Sequence, residues 1–329
     1  MRFIDFFAGI GGATLGLQKA GMQLVDALEV QGQAKKVYHN NFGLFPKGDL
    51  MNIPTYGIEK ADLFYASFPF IEMSKSYASF IGEDPDSFVA TNLYFYFFDF
   101  VAYHKPKYLI IEIVKNITKA GERHLNLIYK ILSQLGYKTA TYCINYRDYG
   151  LPISKEVVYL IAVPRTTPAF ELEKPKRQLV VLADFFKNRT ISKKQVVQGH
   201  QYKLLKLPYD SHRSIYYTGF IKTQEERDVS YHSRTFPYNQ RIYSDSGFYP
   251  CFQACEKQWR YFIYQEVKNR VIKLNDRQCY SMKGFPSSFA FSPIASHACT
   301  HLAYASSPRV VKWLGEQIIK HDQLFSIPL

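Results

Sequence analysis

The first stretch of the chain whose residue types could carry chemistry is a glycine-rich turn. Residues 3–7 form an apolar, aromatic run of strand length, residues 8–12 supply three glycines, and residues 13–17 have helical apolar spacing. Glycines serve at such a turn because the backbone must approach a ligand closely. Glu29 ends the next apolar segment, where a carboxylate could accept hydrogen bonds from ribose hydroxyls. This pattern predicts a nucleotide-type cofactor, either NAD or S-adenosylmethionine, with an ordinary glycine turn inside a core as the alternative.

Alternating strands and helices must position such a site. Apolar runs predict strands at residues 61–66, 108–111, 138–145 and 157–163, and helical spacing predicts helices at 33–42, 86–100, 123–135 and 309–319. The composition shifts toward prolines and basic residues after residue 164, which places a domain boundary near residue 165. The order of elements is typical of an α/β domain that is followed by a second domain.

Several motifs together resemble one enzyme family. Residues 3–12, Glu29, residues 41–43 and residues 48–50 resemble the cofactor half of the DNA (cytosine-5) methyltransferases, whose first motif reads D-x-F-x-G-x-G-G. The resemblance continues in family order to the C-terminus and covers nearly the whole chain. It implies an α/β fold with a mostly parallel sheet of the S-adenosylmethionine-dependent methyltransferase type and a second, smaller recognition domain.

The resemblance also implies how S-adenosylmethionine is held. The expected cofactor-binding residues are Phe7, Gly9, Ile10, Gly11, Gly12, Glu29, Val30, Asp49, Leu50, Pro69, Leu93 and Ser306. Two of them depart from the family pattern. Val30 stands where family members often carry an aromatic ring that stacks on adenine, and Ser306 replaces an asparagine that touches the cofactor. A reduced affinity for the cofactor is therefore expected.

The nucleophile position is the largest departure from the family. Residues 67–74 resemble the pattern G-F-P-C-Q-x-F-S, whose cysteine thiolate attacks C6 of a cytosine flipped out of the duplex, but Phe70 stands at the cysteine position and Ile71 at the glutamine. The thiolate is indispensable because its addition at C6 makes C5 nucleophilic, and a phenyl ring has no lone pair to offer. Pro69 and Ser74 remain, so the loop is expected to keep its shape without its chemistry.

Two further motifs that handle the target base are also altered. Glu112 and Val114 retain parts of the family's E-N-V, in which the glutamate protonates N3 of the flipped base, but Ile113 replaces the asparagine. Residues 147–152 resemble the family's D-Y-G-x-P. The polar positions of the family's continuation, Q-x-R-x-R, are occupied by Ile153, Lys155 and Val157. Three altered motifs in one chain predict a pseudoenzyme.

Charge and composition predict a polyanionic partner. The 329 residues carry a net charge of +13, and the pI is about 9.3. The resemblance assigns residues 1–165 plus 300–329 to a methyltransferase-like domain and residues 166–299 to a target-recognition domain that reads double-stranded DNA through the major groove. The residues expected to bind DNA are Lys203, Lys206, Arg213, Arg241 and Arg277. A solvated basic surface with no specific partner is the alternative.

The five cysteines are odd in number and show no paired framework, which predicts free thiols in a reducing cytoplasm. Cys251 and Cys255, with His297 and His301 far along the chain, give a zinc site little support, and no metal is assigned. No apolar run approaches the roughly 18 to 20 residues that span a bilayer. A soluble protein with no membrane partner is expected, cytoplasmic or, in a eukaryote, nuclear.

Two functions remain open at this point. The first is a DNA-binding homologue that binds S-adenosylmethionine but does not methylate, and that serves as a regulator or as the accessory subunit of an active methyltransferase. The second is an active DNA or RNA cytosine methyltransferase with another nucleophile or with partner-dependent activity. Cys143 is the cysteine nearest to the base-handling motifs, but it lies within a predicted strand. A remnant with no function is disfavoured because the glycine and cofactor motifs persist.

Overall fold

The computed structural model describes residues 1–68, 88–114, 122–175, 178–205, 215–222, 240–253 and 261–325. The strands are β1 (Arg2–Phe6), β2 (Gln23–Leu28), β3 (Leu63–Ser67), β4 (Tyr108–Val114), β5 (Tyr137–Asn145), β6 (Glu156–Pro164), β7 (Tyr202–Leu204), β8 (Tyr217–Ile221), β9 (Arg241–Ser244), β10 (Phe262–Gln265) and β11 (Arg270–Lys273). The helices are α1 (Gly12–Lys19), α2 (Gly32–Phe42), α3 (Phe88–His104), α4 (Glu122–Gln134), α5 (Leu182–Phe186), α6 (Asp276–Met282), α7 (Ala295–Tyr304) and α8 (Pro308–Phe325).

The chain divides into two compact units. The first contains Met1–Ile144, Glu156–Lys174 and Ala305–Leu329, and the second contains Asn145–Lys155 and Pro175–Tyr304. The first unit holds a six-stranded sheet in the order β2-β1-β3-β4-β6-β5. Strands β2, β1, β3 and β4 are parallel neighbours, and β6 runs antiparallel to β4. The predicted α/β fold with a mostly parallel sheet is thus confirmed.

The two faces of the first sheet differ in chemistry. Side chains of β1, β3 and β4 alternate between the faces, and one set packs with α3 into an apolar core. That set contains Ile4, Phe6, Phe64, Ala66, Leu109, Ile111 and Ile113. On the other face, Asp5 of β1 pairs with Tyr65 of β3, and Tyr65 pairs with Ile110 of β4. Glu112 lies two residues after Ile110 and therefore on the same face. The alternation thereby gathers polar groups at the carboxyl ends of three parallel strands.

Helix α8 packs closely against α1 through two glycines. A Cβ added at Gly16 would lie 2.7 Å from the carbonyl oxygen of Pro308 and 2.7 Å from Cβ of Val311. A Cβ added at Gly315 would lie 2.9 Å from Cβ of Ala20. Larger residues at these positions would push the helices apart, so the glycines let the C-terminal helix lie directly on the helix that follows the glycine-rich turn.

The second unit has a five-stranded sheet of its own. The strand order is β11-β10-β9-β8-β7, with β9 and β10 parallel and the other neighbours antiparallel. Ile242, Phe262 and Val271 form its apolar core. Beside it, the buried Lys283 donates from Nζ to the carbonyl oxygens of Leu302 and Ala303 at the end of α7, where a cation is favoured by the helix dipole.

Candidate cofactor and base site

The glycine-rich turn connects β1 to α1 through backbone conformations that few residues adopt. Phe7, Gly9 and Gly11 have φ angles of 59°, 56° and 87°. A Cβ added at Gly11 would lie 2.1 Å from the ring of Phe42, so only glycine fits there. Of the other predicted cofactor residues of this turn, Ile10 and Gly12 are buried. The turn brings backbone N–H groups to the carboxyl edge of the sheet, where open α/β folds bind their ligands.

Glu29 is oriented by two backbone hydrogen bonds. Its Oε2 accepts from the amide of Gly9 at 2.7 Å, and its Oε1 accepts from the amide of Gln31 at 2.7 Å. Because each carboxylate oxygen has two lone pairs, both oxygens can still accept a hydroxyl proton. The structure thus links Glu29 to the glycine-rich turn, while its contact with a ribose stays a prediction.

The remaining predicted cofactor residues of the first unit are less uniform. Asp49 accepts from the amide of Met51 at 3.0 Å, and Leu50 is buried. Leu93 is half-buried on α3. Val30 is 68% exposed, and its aliphatic side chain has no ring that could stack on a ligand. Pro69 lies outside the described residues.

Sequence reasoning did not select Asp5 as a site residue, although it was part of the quoted motif. Its Oδ2 accepts from the amide of Thr14 at 3.1 Å and from the Thr14 hydroxyl at 2.6 Å, and that hydroxyl lies 2.7 Å from the Tyr38 hydroxyl. Burial raises the pKa of Asp5 to about 7, and the charges of Glu29 and Glu112 act in the same direction. The available signal was a carboxylate in the middle of an otherwise apolar strand.

Glu112 lies in a buried polar cluster with Tyr65 and Ser306. The Tyr65 hydroxyl donates to Oε2 of Glu112 and lies 3.1 Å from Oγ of Ser306. Burial raises the pKa of Tyr65 well above its usual value, and the neighbouring Glu112 charge raises it further. The structure therefore brings together two predicted site residues, Glu112 and Ser306, through a tyrosine that no sequence pattern distinguished from a core aromatic.

Among the altered positions that the structure describes, three hold buried apolar residues. Phe70 and Ile71 lie outside the described residues. Ile113 is fully buried, and its cross-strand neighbour in β6 is Val158. Val157 and, in the second unit, Ile153 are also buried. Lys155 places its Nζ 5.8 Å from the ring centre of Tyr146.

The predicted DNA-binding residues belong to the second unit. Lys203 is exposed on β7, and Arg241 is half-buried at the start of β9, where it lowers the pKa of Tyr243 against the larger effect of burial. Lys206 and Arg213 lie outside the described residues. Arg277 donates from Nη1 to the carbonyl oxygens of Ser287 and Phe289 at 2.7 and 2.8 Å, and its guanidinium lies 4.4 Å from the ring centre of Phe291.

These contacts give Arg277 a role in holding the segment from 287 to 291. Both hydrogen bonds come from Nη1, and the guanidinium carries three further N–H donors on Nη2 and Nε. Its contact with DNA, like that of Lys203 and Arg241, stays a prediction.

The cysteines differ in state. Cys143, Cys251 and Cys279 are not disulfide-bonded, whereas Cys299 is. The expectation of free thiols is therefore wrong at Cys299, because an odd cysteine count does not exclude one pair. Within the described ranges, no group of three or more His, Cys, Asp or Glu side chains could hold a metal ion. In the same ranges, none of the helices combines the length and the apolar character that a bilayer crossing requires.

Known proteins resemble this chain over nearly its full length. The type II methyltransferase M.HhaI of Haemophilus parahaemolyticus is 26% identical over 327 residues, which cover 97% of this chain and 94% of the relative. Among solved structures, a putative DNA modification methyltransferase from an E. coli prophage has 17% identity and a TM-score of 0.67, covering 98% of this chain and 99% of the other.

The S. pombe Dnmt2 methyltransferase has 14% identity and a TM-score of 0.64, with 99% of this chain and 100% of the other covered. Structures this distant in sequence support the fold alone. The family described as C-5 cytosine-specific DNA methylase matches residues 1–320. Its members bind DNA and use S-adenosylmethionine. This chain belongs to the C-5 cytosine-specific DNA methylase family.

Proposed function

We propose that this chain is a DNA-binding homologue of the DNA cytosine-5 methyltransferases that binds S-adenosylmethionine but does not methylate, and that it acts as an accessory subunit or regulator. One observation carries the proposal. The positions at which the family places its nucleophile and polar base-handling groups hold apolar residues. Phe70 replaces the thiolate, and Ile113, Ile153 and Val157 replace an amide or a guanidinium.

The packing of the described replacements supports this proposal. Ile113, Ile153 and Val157 are each at most 2% exposed. A guanidinium at Val157, for example, would be taken out of water among apolar neighbours, which costs several kcal/mol unless it is paired. The apolar residues are therefore compatible with their surroundings, and the surroundings do not suit the family's polar groups. An isolated loss of the nucleophile would have left these positions unchanged.

The cofactor half of the site supports retained binding. The amides of the glycine-rich turn, the oriented carboxylate of Glu29 and the side chain of Asp49 would hold S-adenosylmethionine, which supplies an activated methyl group when bound. Val30 and Ser306 weaken this fit, since the first offers no ring and the second is engaged with Tyr65. Titration calorimetry should show binding of S-adenosylmethionine and of its demethylated product. No heat at millimolar ligand with folded protein would contradict the proposal.

The second unit supports DNA binding. We propose that residues 166–299 serve as the recognition domain and residues 1–165 plus 300–329 as the cofactor domain, in which case Lys203, Lys206, Arg213 and Arg241 contact DNA. Accessory function further requires an active methyltransferase as partner, because another chain must then supply the nucleophile. Native co-purification should give a stoichiometric complex with such an enzyme. Recovery of a lone monomer would count against the accessory role.

A radiolabelled methyl-transfer assay tests the proposal directly. Mixed duplex DNA and RNA should remain unlabelled by this chain alone, while an active family member labels the same DNA as a positive control. Turnover by the chain alone would favour the alternative, an active enzyme with another nucleophile. Cys143 is exposed on β5, which is separated from β4 and Glu112 by β6. A Cys143→Ser variant would show whether any turnover depends on that thiol.

A further inference from the structure

Tyr65 and Glu112 lie on the same face of neighbouring strands. Tyr65 pairs with Ile110 in the β3–β4 register and Ser67 pairs with Glu112, so the two side chains are diagonal neighbours. Tyr65 is fully buried, and 7% of Glu112 is exposed. Side chains at such diagonal positions are close enough for a long aromatic residue to reach its neighbour. The Tyr65 hydroxyl uses this geometry to donate to Oε2 of Glu112.

The Tyr65 hydroxyl has two partners but only one proton. Since the carboxylate of Glu112 can only accept, the proton of Tyr65 is directed to Glu112. Ser306 Oγ, 3.1 Å away, is a second acceptor for the same proton. A neutral hydroxyl is the weaker acceptor of the two, because a bond to a buried carboxylate is charge-assisted.

We propose that Tyr65 is a positioning residue that holds the Glu112 carboxylate inside the first unit, so that Glu112 does not contact a base flipped out of the duplex. The inference rests on the proposed function, in which Glu112 stands at the family's base-contacting position. It adds a cause of inactivity that is independent of Phe70. The bond to the buried phenol fixes the orientation of the Glu112 side chain, and the carboxylate has to leave that orientation before it can face a base outside the first unit.

The first experiment tests the contact without DNA. Urea unfolding is measured for the native chain, Tyr65→Phe, Glu112→Leu, which has no acceptor, and the double variant. The folding equilibrium constant of the double variant should differ by about tenfold or more from the value expected if the two single substitutions acted independently. Tyr137→Phe is a matched control, because its buried hydroxyl donates to the Pro106 carbonyl at 2.7 Å. Additive effects of Tyr65→Phe and Glu112→Leu would overturn the proposal.

The second experiment tests the consequence for a base. Affinities are compared for a duplex with one unpaired cytosine and for the same duplex fully paired. For the native chain and Tyr137→Phe, the affinities for the two duplexes should differ by no more than about twofold. Tyr65→Phe should bind the duplex with the unpaired cytosine about tenfold or more tightly than the paired duplex, which is the contribution of one charge-assisted hydrogen bond. Adding Glu112→Gln to Tyr65→Phe should abolish that preference.

Two results of the second experiment would overturn the proposal. One is a native preference for the unpaired cytosine that Glu112→Gln removes, and the other is a Tyr65→Phe variant with an unchanged ratio. A chain that binds neither duplex in any variant contradicts the proposed function instead. The unfolding cycle then still decides whether Tyr65 holds Glu112.

Discussion

At the scale of single residues, the missing chemistry is spread over several positions. We predict that Phe70→Cys alone does not restore methylation. The thiolate needs a clamped base, a donor to N3 and a methyl group in line, and such groups act as a unit whose contributions are strongly non-additive. Ile113 and Val157 would still be buried apolar residues, and Glu112 would still accept from Tyr65. The check is the methyl-transfer assay on the purified variant.

The matched comparison for Phe70→Cys is Phe70→Ser, which offers a hydroxyl of similar size but no thiolate. Both variants should lack detectable turnover on any duplex. A Phe70→Cys variant that methylates at about 1 per second or faster, a rate typical of enzymes, would show that Phe70 is the only lesion.

Asp5 makes stability depend on pH in an unusual direction. Its pKa is 3.8 when unfolded and about 7 when folded, so between these values the folded state binds more protons. Stability therefore falls as pH rises through this window, by up to about 4 kcal/mol for a shift of this size. In Asp5→Asn, the side-chain oxygen can still accept from Thr14, and this dependence should disappear. Urea unfolding at pH 5 and pH 8 measures the difference, and parallel pH profiles of the two proteins would contradict it.

At the scale of elements, the glycines between α1 and α8 control how closely the helices approach. Gly16→Ala should destabilise the first unit by about 1 to 3 kcal/mol, because its Cβ would meet the backbone of α8 at less than 3.0 Å. Alanine is otherwise the better helix former by about 1 kcal/mol. Gly32→Ala is the matched control, since nothing lies within 4 Å of the added Cβ, and it should be neutral or stabilising. Thermal unfolding of both variants checks this, and equal effects would refute the packing argument.

The elements that could be predicted from the sequence are those with strong local signals. Periodicity predicted helices at 33–42 and 123–135, and the structure has Gly32–Phe42 and Glu122–Gln134. The predicted helix at 86–100 extends instead over Phe88–His104, and its last turn buries Val101 and His104. Glycine spacing likewise predicted the turn after the first strand. The structure joins Glu29 to this turn by a hydrogen bond from the Gly9 amide.

Contacts between distant residues could not be predicted in this way. Tyr65 is 47 positions from Glu112 and 241 from Ser306, and strand periodicity assigns a residue to a face without naming its partner. In an apolar run, a tyrosine also looks like any buried aromatic. The same limit applies to Arg277, whose hydrogen bonds to two carbonyls of its own unit no local pattern indicated, while its contact with DNA stays a prediction.

At the scale of the whole molecule, the net charge of +13 is the property with the clearest consequence. We predict that duplex DNA binding weakens steeply with salt, by about 10³ or more between 50 and 200 mM, if at least six phosphates are neutralised. Lys203→Gln should lower the slope of log affinity against log salt by about 1, because Lys203 is an exposed base of the second unit. Lys130→Gln removes the same charge from an exposed position on α4 of the first unit and should leave the slope unchanged. Fluorescence anisotropy over a salt series measures both slopes. Salt-insensitive binding, or equal changes in the two variants, would show that the charge acts without a defined DNA contact at Lys203.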